Sequence, residues 1–196
     1  MAKVQRAVLS VANKTGLIEF ARGLVDLGIT LISTSGTLNA LRDARINPRD
    51  LSDVTGFPEI LAGRVKTLHP KIHAGILARR DSEAQMDILE KLRIETIDLV
   101  CVNLYPFEQT IAKQGCLFEE ARENIDVGGP TMIRAAGKNF ESVYVVTDPS
   151  QYASVLEMLR ANNCEVDRDM AFKLMKAAFY RTAMYDKAIS DYLDNL

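Results

Sequence analysis

Short apolar runs alternate with stretches of helical periodicity along most of this chain, the signature of an α/β protein built on a largely parallel sheet. Six runs read as strands: 6–11, 29–33, 51–54, 74–78, 97–103 and 142–147. The fifth and sixth, IDLVCVN and SVYVVT, are continuous enough for central strands buried on both faces. Between the first two, Leu17, Phe20, Ala21, Leu24 and Leu27 follow helical spacing, with Thr15 as candidate cap and Gly28 as the stop. Further helices are predicted after Thr37 and over 82–93, 117–124, 130–136 and 149–162. After Pro149 no proline follows and after Gly137 no glycine, so Asp167 is expected to cap a helix running almost to Leu196. Such a helix would be about 45 Å long. Its aromatics Phe172, Phe179, Tyr180, Tyr185 and Tyr192 exceed one thin stripe. The expected architecture is three-layered: one domain over 1–196, its sheet flanked by helices, with the helical segment from about 167 packed on it or offering a docking surface.

Composition narrows the partners. With 196 residues, 47% hydrophobic and 26% charged, the chain is an ordinary globular domain that buries roughly 70% of its unfolded surface. Its 24 basic and 26 acidic residues leave a net charge of -2, so no field draws it to nucleic acid or an anionic membrane. No apolar stretch approaches a bilayer span. The cysteines Cys101, Cys116 and Cys164 form no C-x-x-C pair and fit free thiols of a cytoplasmic protein.

Ligands of open parallel sheets bind beyond the strands' C-terminal ends, where helix N-termini offer N–H groups to anions. Three junctions there are rich in small polar residues: Ser10 to Gly16 with Asn13 and Lys14, the run Ser33-Thr34-Ser35-Gly36-Thr37, and Asp126 to Thr131 with Val127 and Pro130. Turn-and-cap chemistry uses the same residue types; their recurrence after successive strands favours a phosphorylated ligand. Neither a Walker A sequence nor G-x-G-x-x-G occurs, so a nucleoside triphosphate or nicotinamide cofactor is not expected.

The stretch from Arg64 through Lys66, Thr67, His69, Lys71 and His73 to Arg80 contains no acidic residue. It is either a solvated basic loop or a clamp for a phosphate or developing oxyanion. Its two histidines are four apart, but Pro70 between them interrupts a helix, so no metal site is expected. Asn103 and Tyr105 bring an amide and a phenol to the end of the fifth strand. Asp126 and Lys138 add a carboxylate and an amine, separated by a helix whose rise leaves them bracketing a substrate rather than touching.

Taken in order, GRVKTLHPK (63–71), NLYPF (103–107) and ENIDVGGPTMIRAAGKN (123–139) closely resemble the IMP cyclohydrolase domain, the N-terminal part of the bifunctional purine-biosynthesis family PurH/ATIC. The resemblance covers essentially the whole chain. It implies a methylglyoxal-synthase-like fold and ring closure of 5-formamidoimidazole-4-carboxamide ribotide to IMP with loss of water, without metal or cofactor. It further implies that Lys66, Tyr105, Asp126 and Lys138 are catalytic, and that Ser10, Asn13, Lys14, Thr34, Ser35, Gly36, Thr37, Arg64, Thr67, Asn103 and Val127 bind substrate. The partners expected are the nucleotide, a second copy in a homodimer, and the family's formyltransferase domain, absent from this chain. Ala12-Asn13 stands where Ser-Asp is common, Ser35 where glycine is common and Gly137 where alanine is common. The alternative is a non-catalytic module of the same fold that senses phosphorylated ligands; methylglyoxal synthase itself has a catalytic histidine motif without counterpart here.

Overall fold

The computed structural model describes residues 2–105 and 107–196; Pro106 of the NLYPF run lies outside the described residues. Strands β1 (Arg6–Val11), β2 (Thr30–Ser33), β3 (Arg49–Asp50), β4 (Leu99–Asn103) and β5 (Tyr144–Val146) form one all-parallel sheet in the order β3-β2-β1-β4-β5. Helix α1 (Leu17–Asp26) connects β1 to β2, and α9 (Tyr152–Ala161) packs beside it, stacking Tyr152 on Phe20 at 4.3 Å. Helices α4 (Pro70–Leu77), α8 (Gly128–Lys138) and α10 (Arg168–Leu193) cover the opposite face, as right-handed crossovers in both directions from β1 require. Both faces of β4 are thereby sealed, which is why LVCVN carries no polar residue before Asn103. The strand order reverses between β1 and β4, and that reversal opens a crevice at their C-terminal ends.

The opposite end of the sheet is cross-linked. Buried Asp98, just before β4, accepts the Gln5 and Arg6 N–H groups at 3.0 and 3.1 Å and pairs with half-buried Arg80 at 3.2 Å. The same guanidinium donates to the Gly75 and Ile97 carbonyls. One partner lost here would leave an uncompensated buried charge.

Several elements differ from the sequence expectation. Residues 51–54 are helical: the Asp50 side chain accepts the Ser52 N–H at 2.9 Å and starts α3 (Leu51–Thr55), leaving a strand of only two residues before it. Residues 74–77 of the next run are also helical, with Ala78 following as the helix end, because His69 Nδ1 accepts the Lys71 N–H at 3.1 Å and Pro70 suits a first turn. The run that looked β-rich is the inner face of α4, with Ile72, Gly75 and Ile76 buried. Gly75 admits the Glu95 carbonyl, which would lie 2.5 Å from an added Cβ. Gly16, at φ 67, rather than Thr15, precedes α1. A short α6 (Phe107–Ile111) has no counterpart in the sequence reading. Of the remaining helices, α5 (Glu83–Lys91) and α7 (Phe118–Glu123) fall within the expected spans, while α2 (Ser35–Asp43) starts before Thr37 and takes in part of the small polar junction. The C-terminal helix forms as expected: Asp167 accepts the Met170 N–H at 2.8 Å, and Ala171, Leu174, Ala178, Thr182 and Tyr185 make the buried stripe.

Candidate active site

At the reversal point, β1 and β4 are tied together by Asn103. Its Oδ1 accepts the Ala12 and Asn13 N–H groups at 2.7 and 2.8 Å, and its Nδ2 donates to the Asn13 carbonyl at 2.9 Å. The amide is thus occupied in shaping the loop after β1. Asn13 Oδ1 in turn accepts the Thr15 N–H at 2.9 Å, and Lys14 is left exposed.

The second wall is the first turn of α2. Ser10 and Thr34 hydroxyls share a hydrogen bond at 3.0 Å, and Thr37 Oγ1 both accepts the Val11 N–H and donates to its carbonyl. Ser35 opens the helix at φ 42, a left-handed conformation in which glycine is unstrained. Gly36 faces Lys14, whose Nζ would be 4.0 Å from an added Cβ. Four hydroxyls, a helix N-terminus and a free-standing lysine make this turn a receptive place for a phosphate.

Lys66 reaches the crevice from the segment before α4. Its ammonium donates to Ser35 Oγ at 3.3 Å, and Ser35 Oγ donates to Glu59 Oε2 at 2.7 Å. Arg64 lies outside this cluster, exposed, its Nη2 donating to both Glu123 carboxylate oxygens at 2.8 Å. Buried Thr67 lies under the start of α8: its Oγ1 would be 2.3 Å from a Cβ on Gly128, so only glycine permits that approach.

The third wall is the first turn of α8. Asp126 Oδ1 accepts the Gly129 N–H at 2.8 Å, and the Asp126 N–H donates to the buried Tyr185 hydroxyl at 2.7 Å. Burial pushes the Asp126 carboxyl above its usual range, against the opposing pull of the Gly129 N–H, the Lys66 charge and the Tyr105 N–H. The Tyr105 and Val127 side chains are exposed at the mouth. Helix N-terminus, ammonium and partly desolvated carboxylate thus meet at a place able to orient an amide and stabilise an oxyanion.

Not every sequence-selected residue gathers here. Lys138 is the last residue of α8, 11 residues long, so about 15 Å of rise separates it from Gly128. Its neighbour Asn139 donates to the Ile76 and Ala78 carbonyls at the far end of α4, and Lys138 itself is exposed. The acid-free stretch also divides along α4: Arg64, Lys66 and Thr67 stay near the crevice, while Arg80 serves the Asp98 cross-link at the other end. His69 is engaged as the cap of α4, and no group of three metal-ligating side chains occurs among the described residues. Two contributors escaped sequence reasoning. Tyr185 lay in the aromatic surplus of the last helix, and Glu59 had no signal beyond being the last acid before the basic stretch.

Comparison with known proteins now adds to this geometry. Residues 16–131 match the family model for the MGS-like domain. The chain belongs to that family. Residues 136–196 match the AICARFT/IMPCHase bienzyme family. The bifunctional purine biosynthesis protein PurH of Magnetococcus marinus is 52% identical over 100% of the chain, and that of Acetivibrio thermocellus is 55% identical over 97%. The MGS-like chain spans 37% of the length of each and corresponds to their N-terminal part. The crystal structure of ForH superposes with a TM-score of 0.89 at 36% identity, covering 97% of both chains. The MGS-like fold and the PurH relationship expected from the three motifs are therefore those found, and the relatives are enzymes of purine biosynthesis. No helix among the described residues is long and apolar enough to cross a membrane.

Proposed function

We propose that this MGS-like domain is an IMP cyclohydrolase. The carboxamide nitrogen of the formamido ribotide attacks the formyl carbon, a C–N bond closes the ring, and the resulting hydroxyl leaves as water with the former amide proton. The observation behind this proposal is the meeting, across one crevice, of the phosphate-receptive turn of α2 and Asp126 at the start of α8, with Lys66 hydrogen-bonded to Ser35 and its charge acting on the Asp126 carboxyl.

In this assignment the 5′-phosphate lies against Ser35, Gly36 and Thr37 with Lys14, while Ser10, Thr34 and Asn103 act by holding the loops. Arg64 joins the phosphate by exchanging Glu123 for it, an exposed pair that costs little to open. Val127 and Asn13 line the mouth. Asp126 accepts the amide proton, a task its raised pKa favours, and Lys66 stabilises the oxyanion that forms on the former formyl oxygen. Tyr105 donates to the departing hydroxyl. Lys138 stands outside the set that touches substrate within one protomer; a homodimer remains the setting in which it would act. The reaction joins two groups of one molecule and changes no oxidation state, so positioning and proton transfer suffice. Formyl transfer is assigned elsewhere, in keeping with relatives named bifunctional that are much longer than this chain.

Incubating purified protein with the formamido ribotide and following ultraviolet absorbance tests the proposal. IMP should form with no folate present and equally well in EDTA. Binding of the ribotide without turnover would instead assign the domain to ligand sensing.

A further inference from the structure

Ser35, Glu59 and Lys66 meet where the phosphate of the proposed substrate has to sit, and an anion of the chain's own is already there. We propose that the Glu59 carboxylate is an internal competitor for the anion at the first turn of α2, latched by the Ser35 hydroxyl, so that a phosphate binds by displacing it. The identity of the incoming ligand rests on the function proposed above; the competition itself rests on three structural observations.

The first is the hydrogen-bond chain. Ser35 Oγ donates to Glu59 Oε2 at 2.7 Å while accepting from Lys66 Nζ at 3.3 Å. The carboxylate therefore sits at the positive end of a nine-residue helix, beside an ammonium, the surroundings that attract a phosphate. The hydroxyl that completes the latch belongs to a residue at φ 42, where a glycine would be unstrained and would have no such group.

The second is the segment that carries Glu59. Leu61, Ala62 and Gly63 are consecutively left-handed at φ 54, 53 and 89, a conformation disfavoured for each side-chain-bearing residue. It is held at its base by the Ile60–Val65 bridge and at Glu59 by the Ser35 hydroxyl. Leu61 is 66% exposed, so no core packing fixes the tip. Such a segment yields readily once one of its ties is exchanged.

The third is room to move. Glu59 and Lys66 line a cavity of about 660 Å³ that extends between α2 and α3, with Asn39, Arg42 and Ser52 on its walls. A displaced carboxylate can turn into this space and find the Arg42 guanidinium as its new countercharge. The latch thus opens without disturbing the sheet or the helices.

Isothermal calorimetry with inorganic phosphate and with IMP, on wild type, Glu59→Gln and Glu59→Ala, tests the latch. Each variant should bind inorganic phosphate about tenfold more tightly, the worth of one charge-assisted hydrogen bond no longer to be broken. Melting curves verify that the variants are folded, and if Glu59→Gln is not, Glu59→Ala decides alone. Equal or weaker phosphate binding by a folded variant overturns the proposal. Failure of the ribotide assignment looks different: phosphate binding tightens in the variants while IMP binds no better than phosphate in any of them.

Discussion

The first turns of α2 and α8 face each other across the crevice, and they are built in opposite ways. That of α2 is polar and loosely held: Ser35 is left-handed, Gly36 is exposed, and the neighbouring Lys14 and Glu59 are surface side chains. That of α8 is packed from below and behind. Thr67 and Leu104 close on Gly128 and Gly129, Asp126 caps the turn, and Tyr185 from the last helix fixes the Asp126 N–H. A turn that captures an anion from water gains from adaptable cations and hydroxyls, whereas one that handles a reacting group needs its donors fixed in advance. Under the proposed function the contrast divides binding from chemistry, with Lys66 between them.

The largest expected effect tests that separation directly. Lys66→Ala removes the ammonium that faces both Ser35 and Asp126, and kcat for ribotide cyclisation should fall by about 10²-fold or more with the fold intact. Lys14→Ala, on the adaptable side, should mainly raise KM and weaken IMP binding. Steady-state kinetics distinguish the two. Near-normal kcat for Lys66→Ala would take that residue out of the chemistry and reduce the two turns to a single binding site.

How far this contrast was legible in the sequence differs by region. The parallel sheet and its main helices were readable because buried parallel strands are continuous apolar runs, α1 carries an apolar stripe with a glycine stop, and α10 has an aspartate cap with no breaker after it. Residues 51–54 and 74–78 were misread as strands for a shared reason. Each lies in a short helix whose start is set by a polar side chain, Asp50 or His69, capping the first turn. Within the site, the three junctions could be picked out because small polar residues after strands are concentrated there. Sequence could not show that Asn103 is occupied by the loop after β1, that Arg80 belongs to the opposite edge, or that Tyr185 reaches back some sixty positions to Asp126. Those are long-range contacts, fixed by packing rather than by spacing. The estimated helix rise did anticipate that Lys138 and Asp126 stand apart.

A smaller effect on stability should expose the same asymmetry. A Cβ on Gly129 would lie 2.4 Å from Asp126 Oδ2 and 2.9 Å from Leu104 Cδ2, whereas one on Gly36 meets nothing closer than the Lys14 ammonium at 4.0 Å. Gly129→Ala should cost about 1–3 kcal/mol, the usual penalty of overpacking. Gly36→Ala should be neutral or stabilising by about 0.5 kcal/mol, since it restricts the unfolded chain without a clash. Urea unfolding of both variants gives the comparison. Equal losses would mean that the two turns are equally tightly packed.

The smallest effect concerns pH and only the α8 side. Asp126 is itself partly desolvated, and its carboxyl is raised above the ordinary value of 3.8 chiefly by that burial. Between the unfolded and the folded pKa the native state holds a proton that the unfolded chain has released, so native stability falls as pH rises through this window. The contribution is fully present below 3.8 and lost above the folded value. Asp126→Asn removes the titration while its side-chain oxygen can still accept the Gly129 N–H. The variant's Tm relative to wild type should therefore climb as pH rises from near 3.8 toward neutrality and then level off, the other carboxylates cancelling in the difference. A gap that stays constant or narrows over that range would mean that the Lys66 charge and the two backbone N–H groups outweigh burial. Asp126 would then be held as a stable anion, better suited to orienting the amide than to accepting its proton.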